Sequence, residues 1–337
     1  MTARTWKLGA ALLGGALVAR AAMRRWQRYD LRDKVVVITG SSRGLGLVIA
    51  RELVRHHAKV VICARDRGEL ERARADLLAR GGRVLAVPVD VTNRVQIAQL
   101  VEIVHQHWGR IDIVINNAGV IQVGPMEVMT TSDYEEAMQT HFWGPLHLVL
   151  AVLPEMRGRR EGRIVNITSI GGKLAVPHLL PYSASKFALV GLSEGLRAEL
   201  AKDGIAVTTV VPGLMRTGSV VQAMFKGQHE QEYAWFAASG TSYATSMRVE
   251  RAARRIVDAL CHGDAEVTLS VQAQLAALAH GIAPGLVQRA LGWVVRALPG
   301  VGGIGPGRVR GSHDAGVLAG STLGARIERA TERNNER

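Results

Sequence analysis

The chain has 337 residues, and its 42 Lys or Arg against 29 Asp or Glu give a net charge of +13. The excess is uneven: residues 1–34 carry +6, residues 35–307 only +5 and residues 308–337 +2. A near-balanced centre with 4% aromatic residues excludes a basic nucleic-acid-binding domain, and 47% apolar residues exclude a disordered chain. Cys63 and Cys261 stand far apart with no CxxC, which excludes a disulfide framework or a cysteine zinc site and fits a reducing compartment.

At the N-terminus, Leu8 to Ala19 is an uncharged, mostly apolar run. At about 1.5 Å per residue it spans roughly 18 Å, short of the ~30 Å hydrocarbon layer, and it reaches Met23 only if Arg20 snorkels. There is no AxA-like cleavage site with a polar flank. Residues 1–32 therefore read as a short or interfacial membrane anchor, with a helix packed on the domain as the alternative. Arg20, Arg24, Arg25, Arg28 and Arg32 outnumber Arg4 and Lys7, so insertion would leave the bulk of the chain on the cytoplasmic side.

From Lys34 onward, short β-branched runs alternate with helical patterns: Val35–Thr39, Val60–Ala64, Val84–Val87, Ile111–Ile115, Arg163–Ile167, Ala206–Val211 and a weaker Glu266–Leu269. Near-continuous apolar strands separated by helices predict an α/β fold, a doubly wound parallel sheet of seven strands in three layers. Ligands of such sheets bind beyond the carboxyl ends of the strands, so the residues after each run matter most.

After the first strand comes Thr39-Gly40-Ser41-Ser42-Arg43-Gly44-Leu45-Gly46, leading into a helix. Its glycines allow a tight turn that brings backbone N–H groups and a helix N-terminus against a pyrophosphate. The second strand ends in Ala64-Arg65 rather than an acid, and Arg65 with Arg43 can meet a 2′-phosphate, which points to NADP(H) over NAD. Asp90-Val91 after the third strand can receive the adenine edge or simply cap a turn. The fourth strand ends in Asn116-Asn117-Ala118-Gly119, the fifth runs into Ser169, and beyond it stand Tyr182 and Lys186. Four residues apart on one helix, the ammonium can sit beside the phenol and lower its pKa, making Tyr182 a general acid or base, while Ser169 donates a hydrogen bond to the same substrate oxygen.

In this order the motifs resemble the short-chain dehydrogenase/reductase family, over about residues 33–270. The resemblance implies a single Rossmann domain in which Tyr182 is the proton donor, Lys186 binds the nicotinamide ribose and lowers the Tyr182 pKa, and Ser169 orients the carbonyl. It implies that Asn117 supports the sheet and cofactor, and that Pro212-Gly213 with Thr217 meets the nicotinamide carboxamide. It also implies a homodimer or homotetramer. One position departs: His141 stands where the family usually has an Asn whose main-chain carbonyl helps hold a relay water, so the ring is expected to add a titratable group. The other histidines, including His56, His57, His105 and His107, read as helix-surface residues, with no metal site.

Residues 213–248 are expected to form a lid, with Met215, Val220, Val221, Met224, Phe225, Tyr233, Trp235, Phe236 and Tyr243 making an apolar pocket or packing on the domain. Residues 271–299 read as an amphipathic extension, with Gly285 to Leu298 helical and able to cover the core, seal the pocket or lie on a membrane. Residues 300–337 read as a flexible tail. The expected activity is NADP(H)-dependent interconversion of a carbonyl and an alcohol on a small lipophilic substrate, steroid-like, retinoid-like, long-chain or acyl. The alternative is a catalytically weak dinucleotide-binding scaffold or redox sensor at a membrane surface.

Overall fold

The computed structural model describes residues 28–241 and 246–336; residues 1–27 of the proposed anchor and Tyr243 lie outside them, while residues 28–32 of that segment pack on the domain, with Leu31 buried and the Tyr29 N–H bonded to the Cys261 carbonyl at 2.9 Å. Seven parallel strands form the central sheet: β1 Val35–Thr39, β2 Lys59–Ala64, β3 Arg83–Pro88, β4 Ile113–Asn116, β5 Gly162–Ile167, β6 Ile205–Val211 and β7 Glu266–Thr268. Their spatial order is β3-β2-β1-β4-β5-β6-β7, the doubly wound arrangement with its switch point between β1 and β4. The fourth strand starts at Ile113 rather than Ile111. The buried Asp112 side chain accepts the Val35 N–H at 2.8 Å, and the Ile111 N–H goes to Glu155 Oε1, also at 2.8 Å, so both residues serve the strand's entry rather than its ladder.

The helices on the two faces are α1 Gly44–Arg55, α2 Arg67–Ala79, α3 Arg94–Trp108, α4 Thr131–Met138, α5 Gly144–Arg159, α6 Leu180–Leu200, α7 His229–Thr241 and α8 Val249–His262. Alternate β1 side chains divide between the layers: Val36 and Ile38 pack with Leu47, Leu70 and Ile256 of α1, α2 and α8, while Val35 and Val37 pack with Val101 and Leu148 of α3 and α5. Burial on both faces explains why the strand reads as an unbroken apolar run. Inside the sheet a polar ladder crosses three strands and α6. Asn116 Nδ2 donates to Asn166 Oδ1 at 2.8 Å, Asn166 Nδ2 to Ser193 Oγ at 3.0 Å, and Thr209 Oγ1 to the same Ser193 Oγ at 2.7 Å.

The C-terminal part departs from the sequence expectation. Helices α9 Val271–Ile282 and α10 Pro284–Val295 do not cover the core, because Leu275, Leu278, Ile282, Leu286 and Trp293 are all exposed. Residues 300–337, expected to be a flexible tail, are largely structured over the described part. Val309–Arg310 pairs with Met224–Phe225 of the lid, and helix α11 Thr322–Arg333, capped by Ser321, seats Ile327 among Phe225, Tyr233 and Val220. Among the described residues no helix is long and apolar enough to cross a membrane.

Candidate active site

The glycine loop joins β1 to α1 and is locked to the turn after β4. Thr39 Oγ1 accepts the N–H groups of Asn117 and Ala118 at 2.9 and 3.0 Å, and Asn117 Nδ2 donates to the carbonyls of Thr39 and Gly40 at 3.0 and 2.9 Å. Two glycines are required here. A Cβ on Gly40, whose φ is 61°, would lie 2.7 Å from the Ala118 Cα, and one on Gly46 would lie 2.3 Å from the Gly40 carbonyl. Gly119 follows, exposed, with the His141 ring close to it.

The two arginines expected at the adenosine end are not equivalent. Arg43 Nη1 is held by Glu69 at 2.5 and 2.6 Å, and Ser42 Oγ donates to the same carboxylate at 3.0 Å. Arg65 is exposed and has no ion pair with the described residues. Glu69 was not legible as a partner, since nothing in helical spacing links it to a loop 26 residues earlier. Asp90 caps its own turn: its Oδ1 accepts from the Thr92 N–H at 2.9 Å and from the Thr92 hydroxyl at 2.8 Å. The Val91 carbonyl packs against Gly144.

Ser169, Tyr182 and Lys186 converge beyond the carboxyl ends of β4 and β5. Ser169 Oγ accepts the Gly171 N–H at 3.0 Å and hydrogen-bonds to the Tyr182 phenol. Lys186 Nζ donates to the Ile167 carbonyl at 2.9 Å and lies 5.7 Å from the Tyr182 ring centre. The expected lowering of the phenol pKa by Lys186 is not what this arrangement shows. Burial raises Tyr182 above its usual value, with Ser169 pulling it partly back. The same burial pulls the ammonium down to about 7, which weakens the charge available to act on the phenol. A polar group at the Lys186 ammonium would restore both, by solvating the cation.

His141 is completely buried, and the structure corrects its expected role as a titratable group. Nε2 accepts the Val120 N–H at 3.1 Å, so the ring proton must sit on Nδ1 and be donated to Ser185 Oγ, 2.7 Å away. The Ser185 hydroxyl in turn donates to the Tyr182 carbonyl at 2.8 Å. Burial and the neighbouring Lys186 hold the ring well below its usual pKa, and it stays neutral. Its edge meets the Tyr182 ring at 5.4 Å and 88°, so this residue positions the phenol. It lies in a π turn, Gln139–Trp143, where the Gly144 N–H bonds back to the Gln139 carbonyl. Pro145 is the cause: it lacks the N–H that would bond the His141 carbonyl in an α-helix.

On the far side, the Pro212 carbonyl accepts the Ile170 N–H at 2.7 Å, Gly213 packs on Ser270, and Thr217 Oγ1 donates to Ser219 Oγ at 2.8 Å. The lid aromatics pack on one another rather than line an open wall, with Phe225 and Tyr233 buried at a ring separation of 5.4 Å. A buried fastening invisible in the sequence holds them down. His178, just ahead of α6, meets Glu232 of α7 at 2.7 Å, and Trp235 Nε1 donates to the other oxygen of that carboxylate at 2.6 Å. His105 pairs with Glu155 of α5, so it is not a bare surface histidine. Among the described residues no cluster of His, Cys, Asp or Glu could hold a metal ion.

The tail reaches this same site. The Gly44 N–H, first in α1, donates to the Asn334 carbonyl at 2.9 Å, and the Glu336 carboxylate is buried between Gly44 and Gly218.

The model of the short chain dehydrogenases matches residues 34–226. A Drosophila melanogaster protein named dehydrogenase/reductase SDR family protein 7-like is 33% identical over 301 residues, covering 83% of this chain and 88% of its own. A Bacteroides thetaiotaomicron protein named 3-ketodihydrosphingosine reductase is 38% identical over 56% of this chain and 66% of its own. The solved structure of a short-chain dehydrogenase from Streptomyces avermitilis superposes with a TM-score of 0.67 at 32% identity, covering 79% of this chain and 98% of that one.

Proposed function

The chain belongs to the short-chain dehydrogenase/reductase family, and from that premise we propose that it interconverts a carbonyl and an alcohol on a lipophilic substrate using NADP(H). The observation that carries this reading is the convergence of Ser169, Tyr182 and Lys186 beside the glycine loop. The cradle fits a dinucleotide: Gly40 and Gly46 leave no room for side chains, and among the described residues the buried Lys186 ammonium has no carboxylate beside it. When bound, the nicotinamide supplies or accepts the hydride. Thr39 and Asn117 hold the loop, Lys186 binds ribose hydroxyls, and Thr217 with the Pro212–Gly213 backbone holds the carboxamide. Ser169 orients the substrate oxygen, and Tyr182 gives it a proton in reduction or takes one in oxidation.

NADP(H) is favoured because Arg65 is an exposed cation where an NAD enzyme would carry an acid, whereas Glu69 already engages Arg43. NADPH is expected to bind at least tenfold more tightly than NADH, and Arg65→Ala to remove most of that preference, since a charge-assisted contact contributes about 1.5–3 kcal/mol. Fluorescence titration measures both; equal affinities in the parent chain would overturn the NADP assignment. The lipophilic substrate class is supported by the apolar residues of the lid segment and by the relative named 3-ketodihydrosphingosine reductase. Leu150 of α5 and Phe187 of α6 are exposed, which supports a homodimer or homotetramer formed through those helices.

Membrane association is supported by α9 and α10. Their apolar residues are exposed, Leu275, Ile282 and Trp293 among them, and residues 270–307 include Arg289 and Arg296 but no acid. Together with the N-terminal segment they would hold the enzyme on the cytoplasmic face. Full-length protein should float with anionic vesicles and much less with zwitterionic ones, and Leu286→Glu with Trp293→Glu should weaken flotation about tenfold. Unchanged flotation of that variant would remove α9 and α10 from the contact.

A further inference from the structure

Helix N-termini attract anions because their first N–H groups are unpaired and the helix dipole adds a partial positive charge. In this chain the position over α1 is taken by the chain's own end. The Gly44 N–H donates to the Asn334 carbonyl at 2.9 Å. Asn335, in the left-handed region at φ 57°, donates from Nδ2 to the carbonyls of Ser42 and Glu69 at 2.8 and 2.9 Å and accepts from Arg72 Nε at 2.8 Å. The Arg51 guanidinium holds the Arg333 carbonyl with two contacts of 3.1 Å. Glu336 is 3% exposed: its carbonyl accepts from Gln222 Nε2 at 2.7 Å, and its carboxylate is buried against the Gly218 backbone N–H. A Cβ on Gly44 would lie 2.7 Å from Oε1 and one on Gly218 would lie 1.9 Å from Oε2, so the carboxylate bridges the glycine loop and the loop after β6.

These contacts place a carbonyl dipole and an acid where the loop would otherwise receive the oxygens of a pyrophosphate. We propose that residues 334–336 are a displaceable occupant of the dinucleotide groove, so that the cofactor binds only by expelling the chain's own C-terminal segment. The proposal rests on the dinucleotide reading of the glycine loop. Its hold is polar and local: Asn334 to Glu336 grip the loop, while α11 is anchored separately through Ile327 in the lid cluster. The grip can therefore open without unfolding the lid.

Burial raises the Glu336 carboxyl to about 8; Arg43 from the glycine loop opposes the shift and Glu69 from α2 adds to it. A raised acid docks freely while protonated, and its docking weakens as pH rises from the ordinary carboxylate value through about 8. The tail should accordingly compete best at low pH.

The test compares NADPH affinity of the full chain, a chain ending at Arg333 that keeps α11, and Glu336→Gln, each titrated at pH 6 and 8.5. The chain ending at Arg333 is expected to bind at least tenfold more tightly than the full chain at pH 6, with the gap narrowing at pH 8.5. Lys186 and the 2′-phosphate titrate in both proteins and cancel in the ratio. Glu336→Gln, which cannot charge, should lose this narrowing. Hydrogen exchange on the unmodified chain gives an independent reading: NADPH should speed exchange at residues 334–336 while slowing it at residues 40–46. Equal affinities, weaker binding after truncation, or protection of the tail by NADPH would overturn the proposal. Failure of every version to bind NADPH or NADH would overturn the dinucleotide reading itself, and the proposal with it.

Discussion

Replacing Tyr182 by Phe is expected to lower turnover by about three orders of magnitude while leaving NADPH affinity within about twofold of the parent chain. The hydroxyl is the only part removed, and a positioned proton donor contributes roughly 10²–10⁴ in rate. The ring remains to pack edge-on against His141 at 5.4 Å and beside Gly171, so the catalytic turn keeps its shape. Neither Lys186, bonded to the Ile167 carbonyl, nor the Thr39–Asn117 clasp depends on the phenol oxygen. Steady-state reduction of a lipophilic ketone with NADPH, alongside a binding titration, separates the two effects. A variant retaining a tenth or more of the parent rate would show that another group moves the proton.

The second large effect is on stability. Lys226, just after the lid strand Met224–Phe225, meets Asp133 Oδ2 at 2.5 Å, and the two side chains are 2% and 0% exposed. The same carboxylate caps α4, accepting from the Thr130 N–H at 2.7 Å and the Thr130 hydroxyl at 2.8 Å. Burial pushes the Asp133 carboxyl up, but Lys226 and Thr130 outweigh it and hold the carboxyl below its ordinary value. Lys226→Met strands a buried charge, and the expected cost is about 3–5 kcal/mol. A kcal/mol shifts the midpoint by about 2–4 °C at 150–250 residues and by less in a longer chain, so thermal unfolding should fall by roughly 5–10 °C. Adding Asp133→Asn should recover part of the loss. The sign of the pH dependence follows from the depressed carboxyl. In the parent its stabilisation is present above the ordinary carboxylate value and is lost as pH falls below it. In Lys226→Met the stranded acid is relieved by protonation, so the gap between the two proteins narrows as pH falls. A shift of only a degree or two at neutral pH would mean that water reaches the pair.

Much of this architecture could be read in advance because its signals are local. The apolar runs from Val35 to Val211 are strands since both faces of the sheet are covered, and the glycines at 40, 44 and 46 lie where a turn meets a helix start. The misreadings concern contacts between distant segments. Helix α11 buries little beyond Ile327 and Thr331, so its polar composition reads as a loose tail, and the residues after it, Asn334 to Glu336, rest on a glycine loop nearly three hundred residues away. His141 read as titratable because the residue type suggests it. Only the Val120 N–H and the Ser185 hydroxyl, brought in by folding, leave the ring a single tautomer. Likewise Arg43 looked like a free cation until Glu69 arrived from α2.

The ladder beneath the catalytic helix has a consequence for how such a chain can diverge. Asn116 donates to Asn166, Asn166 donates to Ser193, and Thr209 donates to the same serine hydroxyl, all out of reach of solvent. Each group has its donor or acceptor sense set by the next, so changing one side chain leaves a neighbour with an unanswered proton or lone pair in the middle of the sheet. Drift at these positions must therefore be concerted. Asn116, Asn166, Ser193 and Thr209 thus constrain one another, and a tolerated change at one calls for a compensating change at the next.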